Sequence, residues 1–376
     1  MIKNLKNIAR KNLINVSGWR TDRKIVVIES DDWGTIRMSS KEALAELVRS
    51  GIKVNECPYL SNDSLASEDD LTALFEVLAK HQDSNGRNPV ITANVIMANP
   101  DFNKIASTDF TEYFYEPFTK TLSKYSHHKN SFELWKQGIR EGIIRPQFHG
   151  REHIQVLRWL HFLRNNDFET KKAFEVGVFG LSTTIVSNHR ASFMAAYDWD
   201  NVESRIFIQK SIQEGLDLFR SHFGFESLSA IAPNYTWHPD IEQNLFNHGV
   251  HFIQGARIQK SPNTDNNKFD TISHFTGQRN DLGQTYFVRN CTFEPSLNPN
   301  VDWVDECMSD IKSSFFWKKP AIISTHRVNF IGYINPKNRK QNLTSFNNLL
   351  KRIIQKWPEV EFVTSDQLGI IIENNE

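Results

Sequence analysis

Lys24-Ile-Val-Val-Ile-Glu-Ser30, followed directly by Asp31-Asp32-Trp33-Gly34, is the stretch on which the reading of the fold turns. A run of β-branched apolar residues between charged ends reads as a strand buried on both faces. The adjacent carboxylates just past it stand where β/α enzymes place their chemistry. The same unit then recurs. Apolar runs at residues 89–96, 142–148, 227–232, 250–253, 320–325 and 360–364 read as further strands, with Pro146 placing the end of the third at an edge or bend. Helical spacing between them predicts helices over 42–50, 67–81, 240–248 and 343–356. In the second of these Ser67 can cap the start, and Leu71, Leu74, Phe75 and Leu78 line one face. Strands alternating with helices imply a parallel sheet with crossovers, open or closed into a barrel.

Three regions break this rhythm. Residues 99–129 are polar and aromatic, and Tyr113 and Tyr115 there would suit either an aromatic binding platform or the packing of an insert. Residues 154–223 are helical without an evident strand. Residues 261–284, rich in Asn, Asp, Gly and Thr, read as a long loop. No linker divides the chain. The expected organisation is a helical extension at 1–20 and a single domain at 21–376, with insertions at about 99–145 and 154–223.

Composition excludes more than it nominates. The 376 residues carry 44 Lys+Arg against 44 Asp+Glu, which argues against nucleic acid or an anionic membrane as the main partner. Disorder is excluded by 27 Phe and 9 Trp. The three cysteines, Cys57, Cys291 and Cys307, form no CxxC pair, so neither a disulfide scaffold nor a structural zinc cluster is expected, and a reducing compartment is. No segment approaches 18 consecutive apolar residues. Residues 1–15 mix Lys3, Lys6, Arg10 and Lys11 with Ile2, Leu5 and Ile8 and lack the apolar core of a signal peptide. A helix packed on the domain, or a frayed end, is favoured over weak peripheral membrane contact, and the expected location is the cytoplasm.

The chemistry-bearing residues fall at strand ends. In Phe148-His149-Gly150-Arg151-Glu152-His153 two histidines four apart would share one face of a helical turn and reach one metal ion. Ile322-Ile-Ser-Thr-His326 ends a strand on a histidine, and Ile231-Ala-Pro-Asn-Tyr-Thr-Trp237 ends one on a proline-fixed turn. Taken singly, each has an ordinary reading as a cap, a buried hydrogen-bonded histidine or a packed aromatic. Their shared position after strands makes them a set.

In that order the motifs resemble those of the polysaccharide deacetylase superfamily, which includes chitin, chitooligosaccharide and peptidoglycan deacetylases. Ser30-Asp31-Asp32-Trp33-Gly34 is similar to its Asp-Asp-Gly motif with one Trp inserted, and His149 and His153 match its His-x-x-x-His. Ala232-Pro233-Asn234-Tyr235 is similar to its Arg-Pro-Pro-Tyr turn, and Ser324-Thr325-His326 to its Leu-x-His strand end. The resemblance frames residues 25–366 and implies a distorted (β/α) barrel of about seven strands with a helical insertion. It implies a divalent metal, most often zinc, on Asp32, His149 and His153, with Asp31 as general base and His326 as general acid. It gives the backbone N–H of Tyr235 to the oxyanion. The implied reaction removes an acetyl group from an acetylated saccharide or polysaccharide precursor.

This chain also departs from the pattern. Ala232 replaces the arginine that holds the catalytic Asp, leaving Arg151 or Arg327 to supply that charge. Ser324 stands for Leu, and the inserted Trp33 would fill either the sugar pocket or the core. Two rival readings use the same residues. His149 to His153 also fits the His-x-x-Glu-His pattern of inverzincin peptidases, with Glu152 as base. A carbohydrate-binding protein on an impaired deacetylase fold is the other.

Overall fold

The computed structural model describes residues 11–181, 193–266 and 268–374. The predicted extension at 1–20 and insertion at 154–223 therefore lie partly outside the described residues. Among the described residues there are thirteen strands: β1 Lys24–Trp33, β2 Ile91–Ile96, β3 Ala98–Pro100, β4 Tyr115–Pro117, β5 Ile144–Gly150, β6 Ser229–Ile231 and β7 Phe252–Gly255, then β8 Ile258–Asn263, β9 Lys268–Ser273, β10 Thr285–Val288, β11 Cys291–Thr292, β12 Ala321–His326 and β13 Val360–Val363. Nine of them form one sheet, in the order β10-β7-β6-β5-β2-β1-β12-β11, with β13 also on β1. Every pairing in it is parallel. The sheet curls into an open β/α barrel whose edges, β10 and β11, are not bonded to each other.

The barrel class stands, with nine strands rather than about seven. Residues 285–288 and 291–292 supply two strands that the sequence pattern left unread. Part of the predicted long loop is not loop: β8 and β9 form an antiparallel hairpin in its first half. Pro146 lies inside β5, paired with Ala93 on β2. It is tolerated because β5 pairs with β6 only through Phe148 and Ala230, so Pro146 meets no ladder on that side.

Parity along β1 explains how this sheet builds a site. Val26 and Ile28 face outward into the main core with Leu71, Leu74, Phe346 and Leu350 from two covering helices, Glu68–Ala79 and Pro336–Lys356. Ile25 and Val27 face inward and pack with Phe252, Phe287, Ile322, Val363 and Leu368. The next inward residues are Glu29 and Asp31, because successive strand residues alternate faces. The strand register sets Glu29 beside Ser324 and Thr92, and Asp31 beside His326. The barrel interior is thus apolar at the N-terminal ends of its strands and polar at their C-terminal ends. That gradient places the chemistry.

Candidate active site

Two irregularities in the parallel ladder sharpen that placement. Between Ser30 and Trp33, β1 spends one more residue than β2, and Asp32 takes a left-handed φ of 71°. Between Phe148 and Gly150, β5 likewise spends one residue more than β2, at His149. A bulge re-aims side chains that strict alternation would send to opposite faces. Asp31 and Asp32, although adjacent, consequently line one cavity. The following Gly34 has φ 84°, and a Cβ there would stand 2.2 Å from the Ile96 carbonyl oxygen, so the motif glycine lets β1 and β2 close together. The same bulge absorbs the inserted tryptophan. Trp33 is buried in the core, edge-on to Trp135, and does not reach the pocket.

The two histidines are not on a helical turn, contrary to the expectation from their spacing. His149 belongs to β5, His153 to the bend after it, and the next helix begins at Val156. Gly150, at φ 140°, turns the chain back so that both rings face Asp32. Nε2 of His149 and of His153 lie 3.5 and 3.2 Å from Asp32 Oδ1. His149 Nδ1 donates to the Ile231 carbonyl oxygen at 2.9 Å, which orients the ring and turns Nε2 toward Asp32. Burial lowers the His153 pKa to about 4, so this imidazole is neutral near pH 7. All three groups are buried, and their ligand atoms lie within 4.8 Å of one another. One carboxylate oxygen and two imidazole nitrogens fit a divalent transition metal such as zinc. The second Asp32 oxygen accepts from Arg37 Nη2 at 2.8 Å. Burial would raise the Asp32 pKa, but Arg37 and the two histidines hold it well below the usual carboxylate range.

Asp31 has different partners. Arg289, one residue past β10, grips both its oxygens, and Asn94 adds a 2.8 Å hydrogen bond to Oδ1. Arg289 Nε donates to Glu29 at 2.6 Å, and Ser365 Oγ donates to the other Glu29 oxygen at 2.7 Å. Burial pushes Asp31 up, yet the Arg289 guanidinium outweighs it and holds the group ionised, below the ordinary carboxylate value. Arg289 therefore carries the charge expected of Arg151 or Arg327. Arg151 is committed to Glu152 and Glu214, and Arg327 to Asp63 and the Thr35 carbonyl.

His326 faces the same cavity, its Nε2 3.8 Å from Asp31 Oδ2 and its Nδ1 2.6 Å from Glu294 Oε1. Glu294 is fixed in turn by Asn329 at 2.8 Å. Burial alone would lower the imidazole pKa, but Glu294 raises it to about 9. Tyr59 packs edge-on against the His326 ring, and the Arg37 guanidinium lies 5.4 Å from the Tyr59 ring centre. Tyr235 departs from expectation, since its N–H is spent on the Ala232 carbonyl at 3.1 Å. Its hydroxyl instead meets Arg289 Nη1 at 3.2 Å.

A cavity of about 390 Å³ is lined by Asp31, Asp32, His149, His153, Tyr235 and His326, together with Arg37, Tyr59, Asn234 and Lys260. Of the two readings of Tyr113 and Tyr115, packing is the one their contacts match. Tyr113 and Tyr115 clamp Arg151, with its guanidinium carbon 5.6 and 4.4 Å from their ring centres, and line no part of this cavity. The residues that sequence reasoning missed are Arg289, Glu294, Tyr59 and Arg37.

The fold and cavity define an open β/α barrel with an Asp-His-His cluster at the C-terminal ends of its strands. No family model and no curated protein matches the chain in sequence. Among solved structures it is similar to a protein from Mycobacterium smegmatis assigned as a polysaccharide deacetylase, at 8% identity and a TM-score of 0.41, over 96% of this chain and 93% of that one. A protein from Pseudomonas aeruginosa with the same assignment gives 8% identity and a TM-score of 0.42 over 92% and 90%. The 4-alpha-glucanotransferase of Thermococcus litoralis gives 10% and 0.44 over 91% of this chain, which spans 39% of that enzyme's length. The fold stands on the sheet's own register, and the chemistry on the side chains described above.

Proposed function

We propose that the chain is a metal-dependent deacetylase that removes an acetyl group from an acetylated saccharide or polysaccharide precursor. The observation that carries this reading is the meeting of Asp32, His149 and His153 in one cavity with an Asp31 gripped by Arg289 and a His326 bonded to Glu294. Asp32, His149 and His153 would hold a divalent ion, most suitably zinc, which when bound would polarise the acyl carbonyl and ease deprotonation of water. Asp31 is the general base. Arg289 and Asn94 orient its carboxylate and keep it ionised, so it accepts the proton of the attacking water. His326, held protonated by Glu294, donates to the departing nitrogen or oxygen of the sugar. Two groups pushed to opposite protonation states in one cavity is the arrangement such a hydrolysis requires. Tyr235 contributes through its hydroxyl rather than its engaged amide.

The test is acetate release from a panel of N- and O-acetylated sugars by the zinc-reconstituted chain. Asp31→Asn should lower turnover by about 10²-fold or more while metal content is retained. Undiminished acetate release by that variant would remove Asp31 from the mechanism.

A further inference from the structure

We propose that the pocket is built for an acylated sugar bearing an oxyanion, a carboxylate or a phosphate, held at the mouth by Lys260 and Asn234. The position of the acyl group relative to this oxyanion rests on the deacetylase reading above. The carboxylates at the pocket are already matched, Asp31 by Arg289, Asp32 by Arg37 and the neighbouring Glu294 by His326. Lys260 is left over. It lines the cavity, is exposed, and has no acidic partner among the described residues. Asn234 also lines the cavity and is exposed, and its side-chain amide makes no hydrogen bond among the described residues.

Backbone geometry holds these two polar groups together. The hairpin of β8 and β9 joins no strand of the main sheet. It meets the motif turn through a parallel bridge between Thr236 and Lys260, in which Trp237 N–H donates to the Lys260 carbonyl at 3.0 Å. Gln259, buried next door, locks that position by donating to the Trp237 carbonyl at 2.7 Å. Strand alternation then turns Lys260 outward. In the turn itself Asn234 and Tyr235 both take left-handed φ, 56° and 53°. That conformation is unfavourable for a tyrosine and persists only where surrounding contacts impose it, here the bond between its hydroxyl and Arg289. Of the cationic side chains lining the cavity, Arg37 is matched by Asp32 and His326 by Glu294, which leaves Lys260 as the surplus. A neutral sugar gains nothing from that surplus, whereas an oxyanion gains charge-assisted hydrogen bonds.

Calorimetric titration of the zinc-reconstituted full chain with glucose, glucose 1-phosphate and glucuronate tests this, since none of the three carries an acyl group to lose. The expected result is binding of at least one anionic sugar about tenfold or more tighter than glucose, weakening with added salt. Whether phosphate or carboxylate gives the larger preference identifies the oxyanion. Lys260→Gln should abolish the preference and Lys260→Arg should keep it. Equal affinity for all three sugars, or a preference unchanged in Lys260→Gln but lost in His149→Ala, would overturn the proposal, the latter because the anion would then sit on the metal. Acetate release from the acetylated counterparts is read separately. Lys260-dependent anion binding without any acetate release would refute the deacetylase reading and leave the subsite standing.

Discussion

Arg289 closes a two-pronged ion pair on Asp31, Nη1 to Oδ2 at 2.6 Å and Nη2 to Oδ1 at 2.7 Å, while its Nε holds Glu29. All three side chains are buried. Removing the guanidinium would strand two carboxylates in the barrel, so Arg289→Ala should destabilise the protein by about 3–5 kcal/mol. Arg289→Lys keeps the charge but not the fork, and should lower kcat more than it lowers stability. Urea denaturation together with acetate-release kinetics separates the two effects. A lysine variant with normal kcat would show that Asp31 needs charge alone.

The proposed metal ligands make a second prediction. Zinc-reconstituted protein should hold about one equivalent of metal, and His149→Ala should hold far less, because a three-ligand site loses a third of its donors. Elemental analysis after gel filtration checks this. Less than about half an equivalent in the parent protein, matched by the variant, would dismiss the site.

His326 sets the alkaline behaviour. Glu294 raises its pKa to about 9 from an ordinary 6.5, so the proton is retained through neutral pH. A raised histidine contributes stability that is complete below about 6.5 and lost as pH climbs through about 9. The acid form is lost over the same range, so kcat/KM should fall on the alkaline side near pH 9. In Glu294→Gln the chief raising influence is gone, and the limb should move toward 6.5. An alkaline limb unmoved by that change would assign it to another group.

How much of this could be read beforehand follows from range. The β1 run and the order of Asp31-Asp32, His149/His153 and His326 are local facts, visible because a strand buried on both faces is apolar and its end is where chemistry sits. Arg289 was hidden because it acts 258 residues away from Asp31 in sequence. The one local clue was Thr285-Tyr-Phe-Val288, a β-prone run ending on that arginine, at the border of a stretch read as loop. Glu294 follows a strand of two residues, too short to leave a pattern. The bulges at Asp31-Asp32 and His149 are properties of pairing with β2, not of either segment alone. Spacing therefore suggested a helical turn where the chain makes a bulged strand end.

Glu152 offers the sharpest contrast with Asp31, because the peptidase reading would make it the base. It is buried, receives Arg151 Nη2 at 2.8 Å and Ser211 Oγ at 2.9 Å on one oxygen, and does not line the cavity that holds Asp31. The helix that such a peptidase motif requires begins only after His153, at Val156. The work of Glu152 is to neutralise Arg151, which Tyr113, Tyr115 and Phe207 surround behind the histidine turn. Glu152→Gln should therefore cost stability, about 1–3 kcal/mol from a weakened buried pair, and should leave the pH dependence of acetate release as it was. Asp31→Asn should do the reverse, removing turnover while the folded protein keeps its metal. Peptide cleavage that depends on Glu152 and ignores Asp31 would invert the assignment, since a carboxylate can serve as base only where one of its oxygens reaches the water it deprotonates.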